Sequence, residues 1–217
     1  MLLRKAEITS FVIVLTTLIV GVKLYPQLPE QMAAHWNILG QVDGYIPKKN
    51  AVFLPLILIA IATFILTIIP RFEKRFRANI QSFRNYYDGF IIIFDLFLVL
   101  IYLQTLIWNL GITISFSFTM PIFLGILWLY LGFLLEKTKI NRFCGIRTPW
   151  TMQSETVWHK THLIAGKLFK LAGLISGIGI IFPRLSFFFA LVPIFGILAY
   201  IIIYSYQEYQ QEKQHSV

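Results

Sequence analysis

The sequence predicts an all-α polytopic membrane protein with six transmembrane helices. Hydrophobic residues make up 57% of the 217 residues and aromatic residues 16%, and the mean hydropathy of +0.71 is too high for a soluble domain of this length. The apolar residues form continuous runs of about 17 to 25 residues, which is the length of a membrane-crossing helix. They lack the alternation of barrel strands, and only helices or closed barrels satisfy their backbone groups in lipid. The six runs are residues 8–24, 51–69, 90–110, 114–135, 162–182 and 185–205.

The distribution of positive charge predicts that both termini are cytoplasmic. With the N-terminus inside, thirteen Lys and Arg residues lie in inner segments and four in outer segments, while Lys167 and Lys170 fall within the fifth run. No convincing small-residue cleavage site follows the first run, which we therefore interpret as a retained span. The expected location is the plasma membrane. Anionic lipid headgroups at the inner face account for the net charge of +9, so no direct nucleic-acid partner is needed.

We treat residues 1–217 as one membrane domain with three longer connecting segments. An outer flap spans residues 25–50, a basic cytoplasmic link spans residues 71–88, and a cytoplasmic signature segment spans residues 136–161. The basic link is predicted to be an interfacial helix with Phe and Tyr side chains in the headgroup zone. The single cysteine, Cys144, falls on the reducing side and excludes an internal disulfide.

The outer flap is predicted to be short and hairpin-like. Prolines interrupt the chain after the first run, and "ILGQ" and "DG" supply residues that tolerate positive φ. Trp36 and Tyr45 are expected to anchor the flap at the outer interface. A single histidine with two carboxylates nearby is a weak metal signal. The candidate residues of the flap are His35, Trp36, Gly40, Asp43 and Gly44.

The signature segment is predicted to be a short helical turn that leads into the fifth span. Thr148 followed by Pro149 fits one helix start, and Ser154 followed by Glu155 fits a second. At 100° per residue, one face of the following helix carries a polar stripe that continues as a glycine stripe. Because glycine stripes mark close helix approaches, we expect the polar stripe to line a cytoplasmic vestibule. The stripe consists of Glu155, His159, His162, Gly166, Gly173 and Gly177.

Recognition and metal binding are competing uses of this vestibule. In the first, Arg147 is a fork-shaped donor for a carboxylate or phosphate, and Trp150 and Trp158 anchor a partner. The structural alternative is an Arg147–Glu155 ion pair with both tryptophans as interface anchors. In the second, Glu155, His159 and His162 form a three-ligand set, although the HExxH order of zinc proteases is absent. We assign no metal and no cofactor.

Asp95 is an ionisable residue inside the third apolar run and therefore a functional candidate. Counted at 1.5 Å per residue from the inner ends, its depth of roughly 8 to 10 Å matches depths of about 8 and 12 Å for Lys167 and Lys170. We expect Asp95 to pair with one of these lysines. In the alternative, Asp95 is protonated and the lysines snorkel to the inner surface.

Two quoted segments resemble known families. The outer "LPEQMAAHWNILGQVDGYIPK" is similar to a small uncharacterised domain found in front of SdpI-like segments, and the inner "GIRTPWTMQSETVWHKTH" resembles the signature of the SdpI family. The resemblance implies a polytopic immunity protein that protects against a secreted, membrane-active toxic peptide of the sporulation-delaying type. It also implies a second role, holding a cytosolic repressor at the membrane. The candidate binding residues in the signature are Gly145, Arg147, Thr148, Pro149, Trp150, Glu155, Trp158 and His162.

The sequence therefore predicts a membrane immunity or sensing protein that is not an enzyme. Its expected partners are membrane lipids, a toxic peptide and a cytosolic repressor. The alternative is a membrane-embedded enzyme or small transporter that acts on a lipid or peptide through Glu155, His159, His162 and Asp95. Only fragments of a catalytic constellation are present, which favours recognition.

Overall fold

A computed structural model describes residues 4–215, which form seven α-helices and one β-hairpin. Short 3-10 turns occupy Tyr25–Gln27, Ile69–Phe72, Ile80–Ser82 and Pro183–Leu185. The main elements are α1 (Lys5–Leu24), β1 (Gln31–Trp36), β2 (Val42–Pro47), α2 (Lys48–Ile68), α3 (Lys74–Asn79), α4 (Arg84–Asn109), α5 (Phe116–Lys137), α6 (Glu155–Ile178) and α7 (Ser186–His215).

The protein is a mainly helical, multi-pass membrane protein. Within the described residues, five helical stretches are long and apolar enough to cross a membrane: Lys5–Gln27, Lys48–Phe72, Arg84–Asn109, Phe116–Lys137 and Pro183–Gln214. The predicted fifth span corresponds to α6, which is not among these five. The lysines of α6 lower its hydropathy, although the helix is long enough to span.

The helices pack as two groups that meet at α4 and α5. In the first group, α1, α2 and α4 contact one another, and in the second α6 packs between α5 and α7. Buried aliphatic side chains such as Val52 and Leu106 fill the first group, and Ala165 and Ile201 belong to the core of the second. The signature segment connects α5 to α6, so it lies at the end of the second group.

Four glycines bring α5 and α6 into backbone contact. A Cβ atom on Gly132 would lie 2.6 Å from the Gly166 carbonyl oxygen, and one on Gly173 would lie 2.6 Å from the Gly125 carbonyl oxygen. Both distances are too short for any side chain, so only glycine permits this approach. The predicted close approach is confirmed at Gly166 and Gly173. A Cβ atom on Gly177, in contrast, would meet no atom of the described residues within 4 Å beyond its own helix.

Charged residues join the N-terminus of α1, the C-terminus of α2 and the N-terminus of α4 at one end of the bundle, here named the basic end. Arg4 forms an ion pair of 2.7 Å with Asp88, and Glu7 pairs with both Arg4 and Arg71. The signature segment reaches the same end, because the Asn79 amide donates a hydrogen bond of 2.7 Å to the Ile140 carbonyl.

The basic link does not form the single interfacial helix that the sequence predicted. Two 3-10 turns flank the six-residue α3, and the Glu73 side chain caps α3 by accepting from the backbone of Phe76. Phe76 and Phe83 are 4% and 1% exposed and pack with Tyr87 against the protein. The prediction that the aromatic rings lie in the headgroup zone is therefore wrong for these residues, because they fill the gap beside α4.

A two-stranded antiparallel sheet stands at the opposite end, so the structure is not purely α-helical. The register runs from Gln31 opposite Pro47 to Trp36 opposite Val42. Asn109 at the end of α4 holds this hairpin by accepting from Ala33 N–H at 2.8 Å and donating to the Ala33 carbonyl at 3.0 Å.

The candidate flap residues have visible structural roles in the hairpin. Trp36 packs on Trp108 and Phe116 at ring distances of 5.6 and 4.2 Å, so it contacts the helix bundle. The other four candidates lie in the hairpin turn or in the strand positions beside it. Gly40 has φ +75°, the His35 ring nitrogen lies 2.5 Å from the Asp43 carboxylate, and Gly44 lies opposite His35.

The predicted pair between Asp95 and Lys167 or Lys170 is not formed. Asp95 is fully buried on α4 and accepts a hydrogen bond of 2.8 Å from the Thr63 hydroxyl on α2. Lys170 forms an ion pair of 2.7 Å with Glu136 on α5, and Lys167 is exposed. Depth alone predicted the pair, but α4 presents Asp95 towards α1 and α2, whereas α6 packs on α5 and α7.

Candidate functional site

The signature segment folds around one buried amide side chain. Asn141 is 0% exposed, and its side-chain oxygen accepts from the backbone N–H groups of Phe143 and Cys144 at 2.8 and 2.7 Å. Its side-chain nitrogen donates to the carbonyls of Lys139 and Cys144 at 2.8 and 2.9 Å. This is the Asx-type use of an asparagine, in which the side chain replaces missing backbone partners. The segment can therefore hold a defined shape without regular secondary structure.

His162 supports the next residues of the segment. Its Nε2 atom accepts a hydrogen bond of 2.8 Å from the Ile146 N–H, and its Nδ1 atom donates one of 2.7 Å to the Trp158 carbonyl. An imidazole that accepts through one nitrogen and donates through the other is neutral. The ring is only 1% exposed. His162 therefore serves as a buried structural histidine.

Trp158 and Gly145 enclose this imidazole. The Trp158 ring stacks on His162 at 4.0 Å, and its indole nitrogen donates to the Thr138 carbonyl at 3.0 Å. Gly145 has φ +124°, and a Cβ atom there would lie 2.6 Å from His162 Nε2. Both the backbone conformation and the available space require glycine at this position.

The predicted helical turn at Thr148 is confirmed as a single turn. Thr148 Oγ1 accepts from the Thr151 N–H at 3.2 Å, and the Met152 N–H bonds to the Thr148 carbonyl at 3.2 Å. The second predicted helix start is also confirmed, because Ser154 Oγ accepts from the Val157 N–H at 3.1 Å and caps α6. These caps fix the direction in which the segment enters α6.

The C-terminal part of α7 holds the segment from the other side. The Trp150 indole nitrogen donates to Ser205 Oγ at 2.5 Å, and its ring packs on Tyr206 at 5.3 Å. Further contacts extend the attachment along α7: Tyr209 bonds to Gln153 at 2.7 Å, and Lys160 pairs with Glu208 at 2.7 Å.

The remaining predicted residues are exposed at the basic end. Arg147 and Pro149 lie on the surface, and the Arg147 guanidinium donates to the Arg142 carbonyl at 2.5 Å rather than to Glu155. Glu155 and His159 border a cavity of about 270 Å³ beside α3. Lys139 also lines the cavity, so a carboxylate, an imidazole and an ammonium group meet there.

The candidate metal ligands are not brought together. In the part of the chain that the structure describes, no three His, Cys, Asp or Glu side chains form a group that could hold a metal ion. Both nitrogens of His162 are engaged in the hydrogen bonds above, while Glu155 and His159 face the cavity. The expectation that Trp158 is an accessible anchor is also wrong, because its side chain is buried in the segment.

Comparisons with known proteins match both quoted segments. Residues 137–206 match the model of the SdpI/YfhL protein family, and residues 12–59 match a domain of unknown function, DUF1648. The Immunity protein SdpI of Bacillus subtilis (strain 168) is 27% identical over 189 residues, which cover 85% of this chain and 83% of that protein.

The chain is similar to the SdpI/YfhL protein family over residues 137–206. The SdpI-family match begins at the last residue of α5 and ends beside Ser205, so it covers the signature segment together with the two helices that hold it. The DUF1648 match covers most of α1, the hairpin and the first half of α2. No solved structure matches this chain significantly.

Sequence reasoning missed the residues that support the signature from within. Asn141 and Thr151 are fully buried, and Ser205 is a distant partner of Trp150. Asn141 gave a partial signal, since an asparagine between two apolar helices is typical of a turn. Ser205 lies 55 residues beyond Trp150 and shares no periodicity with it, so it gave none.

Proposed function

We propose that this protein is a membrane immunity protein that protects its cell from a membrane-active toxic peptide. The observation that carries the proposal is the similarity to an immunity protein along 85% of the chain, together with the two family matches that cover the hairpin and the signature segment. A recognition role is favoured over an enzymatic one, because His162, a residue that the enzymatic alternative requires, is buried and occupied by structural hydrogen bonds.

The proposed arrangement has six spans in the plasma membrane, with both termini and the basic end in the cytoplasm. Three facts support it: five helices are long and apolar enough to span, α6 packs between two of them, and positive charge collects at one end. In this arrangement, the hairpin faces outward, towards a secreted peptide. The signature segment faces inward, towards cytosolic partners.

In the signature segment, we propose that buried residues shape the site and exposed residues contact the partner. Gly145, Trp158 and His162 fix the backbone, as their mutual contacts indicate. Arg147 is exposed and carries donors suited to a carboxylate or phosphate. The same exposed surface is the proposed docking site for a cytosolic repressor.

Expression in a cell sensitive to a toxic peptide of this class tests the proposal. We expect the wild-type chain to protect, and Arg147→Ala to lose protection at equal protein level because the fork-shaped donor is removed. The matched control is Arg142→Ala, which removes an exposed charge from the same segment but leaves the carbonyl that Arg147 contacts. Survival on toxin plates and immunoblots of membranes provide the measurements.

Two outcomes contradict parts of this proposal. A wild-type chain that gives no protection at normal abundance against peptides of this class argues against the immunity function. Protection that persists in Arg147→Ala places recognition elsewhere on the protein.

A further inference from the structure

Four arginines line one cavity at the basic end, outside the SdpI-matched segment. The cavity has a volume of about 220 Å³ and lies between the start of α1, the end of α2 and the start of α4. Hydrophobic side chains of the basic link close its other walls. The four residues are Arg4, Arg71, Arg77 and Arg84.

The carboxylates nearby neutralise only part of this charge. Glu7 pairs with Arg4 and Arg71, and Asp88 pairs with Arg4. Within residues 4–215, Arg77 and Arg84 form no hydrogen bond or ion pair with another side chain. Two carboxylates against four guanidinium groups leave a positive cavity that suits one phosphate group.

An apolar groove continues from this cavity along α1 and α2. The groove has a volume of about 330 Å³, and Phe11, Val14, Ala60 and Phe64 line it. The groove and the arginine-lined cavity are neighbours, because Thr67 and Arg71 line both, and Glu7, the ion-pair partner of Arg71, also lines the groove. A positive cavity and an apolar groove along α1 and α2 therefore lie next to each other.

We propose that these two spaces together bind one anionic phospholipid, with its phosphate among the arginines and an acyl chain between α1 and α2. A free phosphate ion would use the arginines but leave the groove empty. General attraction of a basic surface to lipid requires neither a cavity nor a groove. The paired geometry thus selects a ligand that is anionic at one end and apolar at the other.

Native mass spectrometry of the purified full-length chain tests this site. We expect a single phosphatidylglycerol to stay bound, and phosphatidylcholine to bind at least about tenfold more weakly, because its choline group cancels the phosphate charge that the arginines recognise. Inorganic phosphate at millimolar concentration should not displace the phosphatidylglycerol.

Two matched pairs of variants locate the binding. The double variant Arg77→Gln/Arg84→Gln should weaken phosphatidylglycerol binding by about tenfold or more, since each guanidinium near an anionic headgroup contributes a several-fold factor. Its control, Lys74→Gln/Arg75→Gln, removes two exposed charges from the same link that do not line the cavity. Ala60→Phe should fill the groove and reduce binding, whereas Ile61→Phe on the neighbouring exposed position should not.

Each experiment has an outcome that would overturn the phospholipid proposal. Equal losses in the two double variants would show general surface attraction and overturn the proposal. Displacement by inorganic phosphate, or full binding by Ala60→Phe, would show a site for a small anion alone. Arg77 and Arg84 form no side-chain hydrogen bond or close ion pair among residues 4–215, and Arg84 interacts with Asp88 only at longer range. Their removal should therefore leave folding intact, and an unchanged melting temperature verifies this.

Discussion

His162 illustrates how a residue that suggests chemistry can serve the fold. In the sequence it stands in a pattern compatible with a ligand or a base. In the structure its ring is buried and both nitrogens bond to backbone groups of Ile146 and Trp158. One ring nitrogen accepts a hydrogen bond and the other donates one, and together these bonds join the signature segment to α6.

Replacing His162 by alanine should destabilise the protein. The change leaves the Ile146 N–H without its acceptor and opens a cavity beneath Trp158, which together should cost at least about 2 kcal/mol. The matched control is His159→Ala on the same helix, which is exposed and should change the free energy of unfolding by less than about 0.5 kcal/mol. Thermal unfolding in detergent micelles measures both, and equal effects would contradict the assigned role.

Sequence reasoning identified the local signals around this residue but not its distant partners. The Ser154 cap and the one-turn helix at Thr148 could be predicted because both depend on residues within a few positions. The bond from Trp150 to Ser205 depends on the packing of α7, which no local pattern encodes.

The contact between α5 and α6 shows that the direction in which a helix face points determines which residues pair. Glycines at matched spacing bring the two backbones together, and Glu136 and Lys170 pair across the same contact. The sequence predicted the glycine line on α6, but the prediction that Asp95 pairs with Lys167 or Lys170 considered the depth of each residue and not the direction in which its helix faces. Residues at equal depth can face different neighbours when they lie on different helices, as they do on α4 and α6.

Exchanging the charges of Glu136 and Lys170 should test this pairing. Each single variant, Glu136→Lys or Lys170→Glu, places two like charges together in a partly buried position and should reduce accumulation of the protein. The double variant restores opposite charges and should recover most of it. Membrane immunoblots and melting temperatures provide the measurement.

The comparison exchange is Asp95→Lys with Lys170→Asp. It should fail to recover accumulation, since Asp95 accepts from Thr63 on α2 and does not face α6. Recovery in this pair, without recovery in the Glu136 pair, would refute the assignment.

Predictions of whole elements succeeded where composition determines them. Continuous apolar runs predicted helices, and five of the six runs correspond to helical stretches of the described residues that are long and apolar enough to span. The basic link was predicted less well, since its aromatic residues could face lipid or protein with the same periodicity. Packing of Phe76 and Phe83 against Tyr87 decided between the two.

The hairpin and the signature segment lie at opposite ends of the described structure. The hairpin stands at the ends of α4 and α5, whereas the signature segment, the basic link and the end of α7 meet at the basic end. If the basic end is cytoplasmic, as proposed, the two segments face different compartments.

Single cysteines should verify this arrangement. In a Cys144→Ala background, Gln41→Cys in the hairpin should react with a membrane-impermeant maleimide in intact cells, and Gln211→Cys near the end of α7 should react only after lysis. Both positions are exposed in the structure. Because Cys144 is the single cysteine of the sequence, this background leaves only the introduced thiol to react. The reverse labelling pattern would invert the proposed orientation.

The helix α5 links these two ends as one continuous element. At its start, Phe116 and Ser117 touch Trp36 and Gly40 of the hairpin, and at its end Lys137 leads directly into the signature segment. Its 22 residues form a rod about 33 Å long. Because α5 is a stiff rod, a force that tilts the hairpin would also displace the signature segment at the other end of this helix.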